Sequence, residues 1–243
     1  MNDYFAYFFY IAWPLMCLSL FVKLVMDYTF KRFSEFLVLR NFTGRDVAER
    51  ILTANQLSGK FGAGYAVKIE PVAGHLTDSY SPKEKVLRLS DGVYNNVSIA
   101  AVAVAAHECG HALQDANGYI PNKIRNVLVP VANIGSKFGP YIAVLGVIFT
   151  YVIPGSLIGN IIFNIGILGF FAAAAFYLIT LPVEINASRR AIAILRDEQI
   201  LTEDELSGVK KVLIVAALTY FVAAAASIIT LLRLVGIGKR WRR

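Results

Sequence analysis

Ile99-Ala100-Ala101-Val102-Ala103-Val104-Ala105-Ala106-His107-Glu108-Cys109-Gly110-His111 is the stretch that decides the fold. Its first eight residues carry no polar side chain, so a helix made of them has no face suited to water. They are also far short of the roughly 20 residues that cross a bilayer. The run therefore predicts a helix buried on all sides in a folded unit, from Ser98 to Gln114, ended by Gly118-Tyr119-Ile120-Pro121. Its last five residues fit H-E-x-x-H. On a helix, positions i and i+4 project from one face, so His107 and His111 can bind one ion. Glu108 then stands where it can hold and deprotonate a water on that ion. The chain has 3 histidines, and the motif takes two of them. The bland reading is a histidine pair packed in a helix; the glutamate at the right place favours the metal.

Outward from this helix lie four apolar stretches long enough for a bilayer of about 30 Å at 1.5 Å rise per residue: residues 4–26, 138–154, 158–182 and 212–235. The first has no basic residues before it and runs too long for a cleavable signal peptide, so it is expected to be retained. Pro154-Gly155-Ser156 is a turn without charge between the second and third, which predicts a hairpin. Thr202-Glu203-Asp204-Glu205 has the spacing of a capping box opening the last helix. Residues 27–137 form the foldable region. Gly44–Leu52 has helical spacing, while Ala66–Glu70 and Lys85–Ser90 alternate like strands between Gly64, Pro71, Pro82 and Gly92. Val86, Leu87, Arg88 and Leu89 are candidates for an edge on which an extended peptide could pair, with an ordinary core strand as the alternative. The expected fold is an α+β zincin-like catalytic head on a helical membrane domain of about four spans. Its expected divisions are 1–26, 27–137, a membrane hairpin at 138–182, a third-ligand helix and connection at 183–211, and 212–243 for the last span and basic tail.

Composition agrees with membrane residence. Of the 243 residues 56% are hydrophobic and 17% charged, where soluble domains carry about a quarter charged; mean hydropathy is +0.55. The net charge of +7 comes without the aromatic-studded basic patch or fold signature of a nucleic-acid binder. Basic residues cluster at 31–32, 123–125, 189–190 and 210–211, on one shared side of four spans. By the positive-inside tendency that side is cytoplasmic, although Lys239, Arg240, Arg242 and Arg243 pull the other way. Cys17 and Cys109 do not suit a disulfide framework.

A catalytic zinc takes three protein ligands and keeps one position open. His75 follows Ala73-Gly74 in an expected turn and reads as a surface residue. Cys109, two residues from each histidine, reads as packing. Glu184, in Leu181-Pro182-Val183-Glu184-Ile185-Asn186-Ala187-Ser188-Arg189-Arg190, follows the third span and falls on the same side as the histidines. It is the preferred third ligand; the alternative is an interfacial glutamate paired with Arg189 or Arg190. Those arginines are expected to anchor at the membrane surface, with orientation of Glu184 or stabilisation of an oxyanion as their second reading.

Several segments together resemble a known family: Leu76-Thr77-Asp78-Ser79-Tyr80, Lys85–Ser90, Ser98–Gln114, Pro130-Val131-Ala132-Asn133-Ile134-Gly135-Ser136 and Pro182–Arg190. The chain resembles the YugP-type neutral zinc metallopeptidases, bacterial membrane proteins related in plan to the HtpX-type gluzincins. The resemblance covers most of the chain from residue 65 on. It implies a bacterial multi-pass membrane protein with one Zn2+ on His107, His111 and Glu184. Glu108 would be the general base, and protein or peptide substrates, membrane proteins among them, the partners beside the lipid bilayer. Ser188 stands where HtpX-type enzymes have an aspartate, so support for the ligands must be built differently. Ser79 and Ser81 replace the His and Asp usual around Tyr80. Two rival readings remain: an intramembrane metalloprotease, which usually needs an acidic residue that 138–154 and 158–182 lack, and a zinc-binding membrane scaffold without catalysis.

Overall fold

The computed structural model describes residues 8–58 and 66–241. The first residues of the expected 4–26 span, Gly64 and the final Arg242-Arg243 lie outside the described residues. A π-helical turn, Phe8–Ala12, leads into α1 (Trp13–Ser34) and α2 (Gly44–Ala54). Three strands follow, β1 (Lys68–Val72), β2 (Ser79–Ser81) and β3 (Val86–Ser90). The rest is helical: α3 (Asp91–Tyr94), α4 (Ile99–Ala116), α5 (Ile120–Val152), α6 (Leu157–Asp197) and α7 (Glu203–Trp241). The chain divides into two units. One takes Met16–Tyr119 and Val183–Thr219; the other takes Met1–Leu15, Ile120–Pro182 and Tyr220–Arg243.

The first unit holds the core. Thr43 and Asp46 close a capping box that starts α2, and its Val47, Ala48, Ile51 and Leu52 are fully buried against α4. Ser98 caps α4 by accepting from Ala101 N at 3.2 Å. The apolar first half of α4 is largely enclosed: Ala100 to Ala103, Ala105 and Ala106 are inaccessible, while Val104 is partly exposed on the face that continues to His107 and Glu108. The sheet order is β1-β3-β2, with β1 parallel and β2 antiparallel to β3. β1 runs through Pro71, where a strand end was expected. An edge strand tolerates a missing N–H. β2 was not legible as a strand at all, being three residues long.

Two further backbone segments join this unit. Val38 N donates to Val97 O, and Ile99 N to Phe36 O, both at 2.9 Å, which straps the segment after α1 to the start of α4. Glu205 closes the capping box with Thr202 and also accepts from Leu39 N at 2.7 Å.

In the second unit, α5 and the first part of α6 form a hairpin turned at 153–156, its first arm beginning at Ile120 rather than at the expected 138. The helices meet along small residues. A Cβ at Gly135 would lie 2.2 Å from Gly169 O, one at Gly166 2.4 Å from Ala143 N, and one at Gly146 2.4 Å from Phe163 N. Tyr141, Val144, Ile148, Ile161 and Leu168 are exposed. Among the described residues three helices are long and apolar enough to cross a membrane, Phe9–Ser34, Leu157–Asp197 and Glu203–Arg233. The remaining expected span, 138–154, rests on the helix pair Ile120–Gly139 and Tyr141–Val152, bent by 42°.

Candidate metal centre

Two helices of the first unit build the centre. α4 supplies His107, Glu108 and His111, and α6 supplies Glu184 and Ser188. What brings them together is Gly110. A Cβ there would lie 2.5 Å from Ala187 O and 3.1 Å from Ala187 Cα, so the backbone of α6 rests directly on the gap between Cys109 and His111. On α6, Val183, Ala187, Ala191 and Leu195 recur at four-residue spacing and are all fully buried. That stripe fixes the rotation of α6, and the next residue round the helix, Glu184, comes to lie under the histidines.

The result is a tight donor cluster. His107 Nε2 is 3.0 Å and His111 Nε2 3.5 Å from Glu184 Oε2, and ligand atoms of all three residues lie within 4.8 Å of one another. The imidazole rings meet edge to face, centroids 4.8 Å apart. Glu184 is nearly inaccessible and the histidine side chains are 15% and 10% exposed, so the centre is sheltered but open on one side. Two imidazoles and a carboxylate suit zinc, whose bonds of about 2.1 Å put tetrahedral ligand atoms roughly 3.4 Å apart. The observed 3.0 and 3.5 Å bracket that separation, so these residues fit the ion.

Each histidine is held from behind. His107 Nδ1 lies 3.1 Å from Ser188 Oγ, so the serine that stands where HtpX-type enzymes have an aspartate reaches this imidazole. His111 Nδ1 lies 3.1 Å from Gln114 Oε1. Gln114 is itself fully buried and its Nε2 donates to Val183 O at 2.8 Å and Asn186 Oδ1 at 3.0 Å. Arg190 Nε donates to the same Asn186 oxygen at 2.9 Å. Glu108 is half-buried beside the cluster, and Arg189 is exposed.

Cys109 faces away, buried in the core with its thiol 3.9 Å from Ala48 O. Burial, and then the neighbouring Glu108 charge, push this thiol well above its usual range. It stays protonated, whereas a zinc ligand or nucleophile must be a thiolate. His75 is on the surface, edge-on to Phe30 at 5.5 Å. Tyr80 donates to Asp115 Oδ2 at 2.8 Å, and Lys85 pairs with the same oxygen at 2.6 Å.

The strand candidates need correction. Val86, Leu87 and Arg88 pair with β1 on one side and β2 on the other, and Leu89 pairs with Pro71 of β1. β3 is the central strand, so Val86, Leu87 and Arg88 have strand partners on both sides and offer no free edge to a peptide. The hairpin return of β2, illegible in so short a segment, is what closes it.

Gln114, Asn186 and Gly110 escaped the sequence reading. The signals were present. Gln114 stands at i+3 from His111, on the ligand face. A mid-helix glycine costs about 1 kcal/mol relative to alanine, so Gly110 called for a packing reason.

Comparison with known proteins adds to this geometry. Residues 8–239 match the model of a family described as "Putative neutral zinc metallopeptidase". The curated "Putative membrane protease YugP" of Bacillus subtilis (strain 168) is 42% identical over 220 residues, covering 90% of this chain and 91% of that protein. No solved structure matches.

Proposed function

From the chain's membership of the neutral zinc metallopeptidase family, we propose that it is a membrane-embedded zinc metalloendopeptidase of gluzincin type. His107, His111 and Glu184 hold one Zn2+, and the substrates are proteins or peptides at or near the membrane surface. The observation that carries this reading is the convergence of both Nε2 atoms on Glu184 Oε2 at 3.0 and 3.5 Å. In the same reading the α+β unit is a zincin-like head. Four spans anchor it, and it faces the cytoplasm as the distribution of basic residues favours.

His107, His111 and Glu184 would hold the zinc ion, which when bound would supply Lewis acidity toward a carbonyl and toward water. Glu108 accepts the proton of that water and passes it to the departing amine, so one carboxylate serves as base and then acid. Glu184 contributes the negative charge that two neutral imidazoles cannot. Ser188 and Gln114 orient the rings, and the buried face of α4 keeps their backing dry. Arg190 is engaged with Asn186 and bears on the centre through Gln114.

Substituting one carboxylate at a time tests the assignment. Glu108→Gln is expected to retain about one zinc per chain and to lose peptide cleavage by 10²-fold or more. Glu184→Ala is expected to lose zinc. Undiminished cleavage by Glu108→Gln would remove the hydrolase reading, and full zinc occupancy in Glu184→Ala would strike Glu184 from the ligands. A reporter fused near residue 60 checks the orientation.

A further inference from the structure

We propose that Gln114 is a positioning residue. It holds His111 in the tautomer that carries its proton on Nδ1, leaving the Nε2 lone pair free for the metal, and with the same amide it locks the backbone beside Glu184. The inference rests on the metallopeptidase reading for the use of the Nε2 lone pair, which the structure sets 3.5 Å from Glu184 Oε2; the proton on Nδ1 follows from hydrogen-bond polarity alone.

The polarity can be traced from both ends. Val183 O is a backbone carbonyl and can only accept. The Arg190 guanidinium can only donate, so the Asn186 atom it touches at 2.9 Å is the amide oxygen. Gln114 reaches both acceptors, at 2.8 and 3.0 Å, and the only part of its side chain that can satisfy both is the NH2 group. Its carbonyl oxygen is thereby turned toward His111 Nδ1 at 3.1 Å. That oxygen can only accept, so Nδ1 must carry the proton. Inverting the amide would set oxygen against two oxygens, with Gln114 and Val183 both inaccessible, where an unsatisfied polar group has no water to turn to.

His107 is held differently. Its Nδ1 faces the Ser188 hydroxyl, which can donate or accept, so nothing in that contact selects a tautomer. The second histidine of the motif is preset and the first is adaptable. Gln114 also joins the two ligand-bearing helices: its side chain springs from α4 and its amide grips the residue preceding Glu184. Loss of Gln114 therefore acts on two of the three ligands.

The test uses the full-length protein in detergent micelles. In zinc-free wild type, 15N chemical shifts of the imidazoles are expected to report His111 with the proton on Nδ1. Gln114→Met, close in volume and unable to accept or donate here, is expected to mix the tautomers and to weaken zinc binding about 10–100-fold, read by competition with a chromophoric chelator. Its zinc-free melting temperature separates this from unfolding. Gln114→Glu keeps an acceptor for Nδ1 but opposes Val183 O, so it should preserve the tautomer and still weaken zinc. Should Gln114→Met not fold, the wild-type tautomer and Gln114→Glu decide. A wild-type His111 protonated mainly on Nε2, or wild-type zinc affinity in the folded variants, would overturn the inference. Wild type that takes up no zinc would instead overturn the proposed function, while the tautomer would still judge Gln114.

Discussion

The α5–α6 hairpin and the α4–α6 contact use the same device for different ends. In both, a glycine admits a neighbouring backbone to a distance no side chain would allow: Gly135 against Gly169, and Gly110 against Ala187. In the hairpin the surroundings are apolar and the close approach serves packing, as small residues do between helices in lipid. At the motif the approach sets the distance between three polar donors. A few tenths of an ångström are absorbed by one seam and felt as chemistry by the other. Close packing is thus a stability device in one unit and a ruler in the other.

Gly110→Ala should show the largest effect. The added methyl meets backbone, so α4 and α6 must separate, and the donor separations of 3.0 and 3.5 Å lengthen. We expect zinc affinity to fall on the order of 100-fold, the upper range for lost ligand support. The melting temperature should fall as well, because about 1 kcal/mol of better helix propensity only partly offsets overpacking of about 1–3 kcal/mol; zinc affinity is what separates this variant from the next. Unchanged zinc affinity in Gly110→Ala would dissolve the comparison. Gly135→Ala is the reciprocal experiment: a loss of about 1–3 kcal/mol from overpacking, read by unfolding in detergent, with zinc affinity intact. Loss of zinc there would mean the hairpin seam also gauges the site. Ser188→Ala is expected to be mildest. One neutral hydrogen bond is worth about 1 kcal/mol, so zinc should bind roughly fivefold more weakly by chelator competition. An effect exceeding that of Gln114→Met would reverse the ranking of the two histidine supports.

Much of this was legible in the sequence because it is periodic or local. The buried helix, the i, i+4 histidines, the Thr202–Glu205 cap and the turn at 154–156 each depend on residues a few positions apart. Glu184 was reachable through span counting. What remained hidden depends on partners distant in sequence. Whether Val86–Leu89 has a free edge is a property of β1 and β2, and Gly110 is explained only by Ala187. The continuity of α6 through Pro182 was hidden too. A proline inside a helix costs about 3 kcal/mol, which favours reading it as an end. The fully buried Val183, Ala187, Ala191 and Leu195 hold the helix beyond it, and packing overrides the local rule.

That buried stripe also sets where the chain can change length. Each residue added to a helix turns everything after it by about 100°. A single alanine inserted between Glu184 and Ser188 would swing Ser188 away from His107 and turn Ala191 and Leu195 out of the core together. The same insertion in the exposed turn at 153–156 meets no such phase requirement. Variation in length among related chains should therefore collect at that turn and be absent from 183–195, where the helix keeps count for the metal.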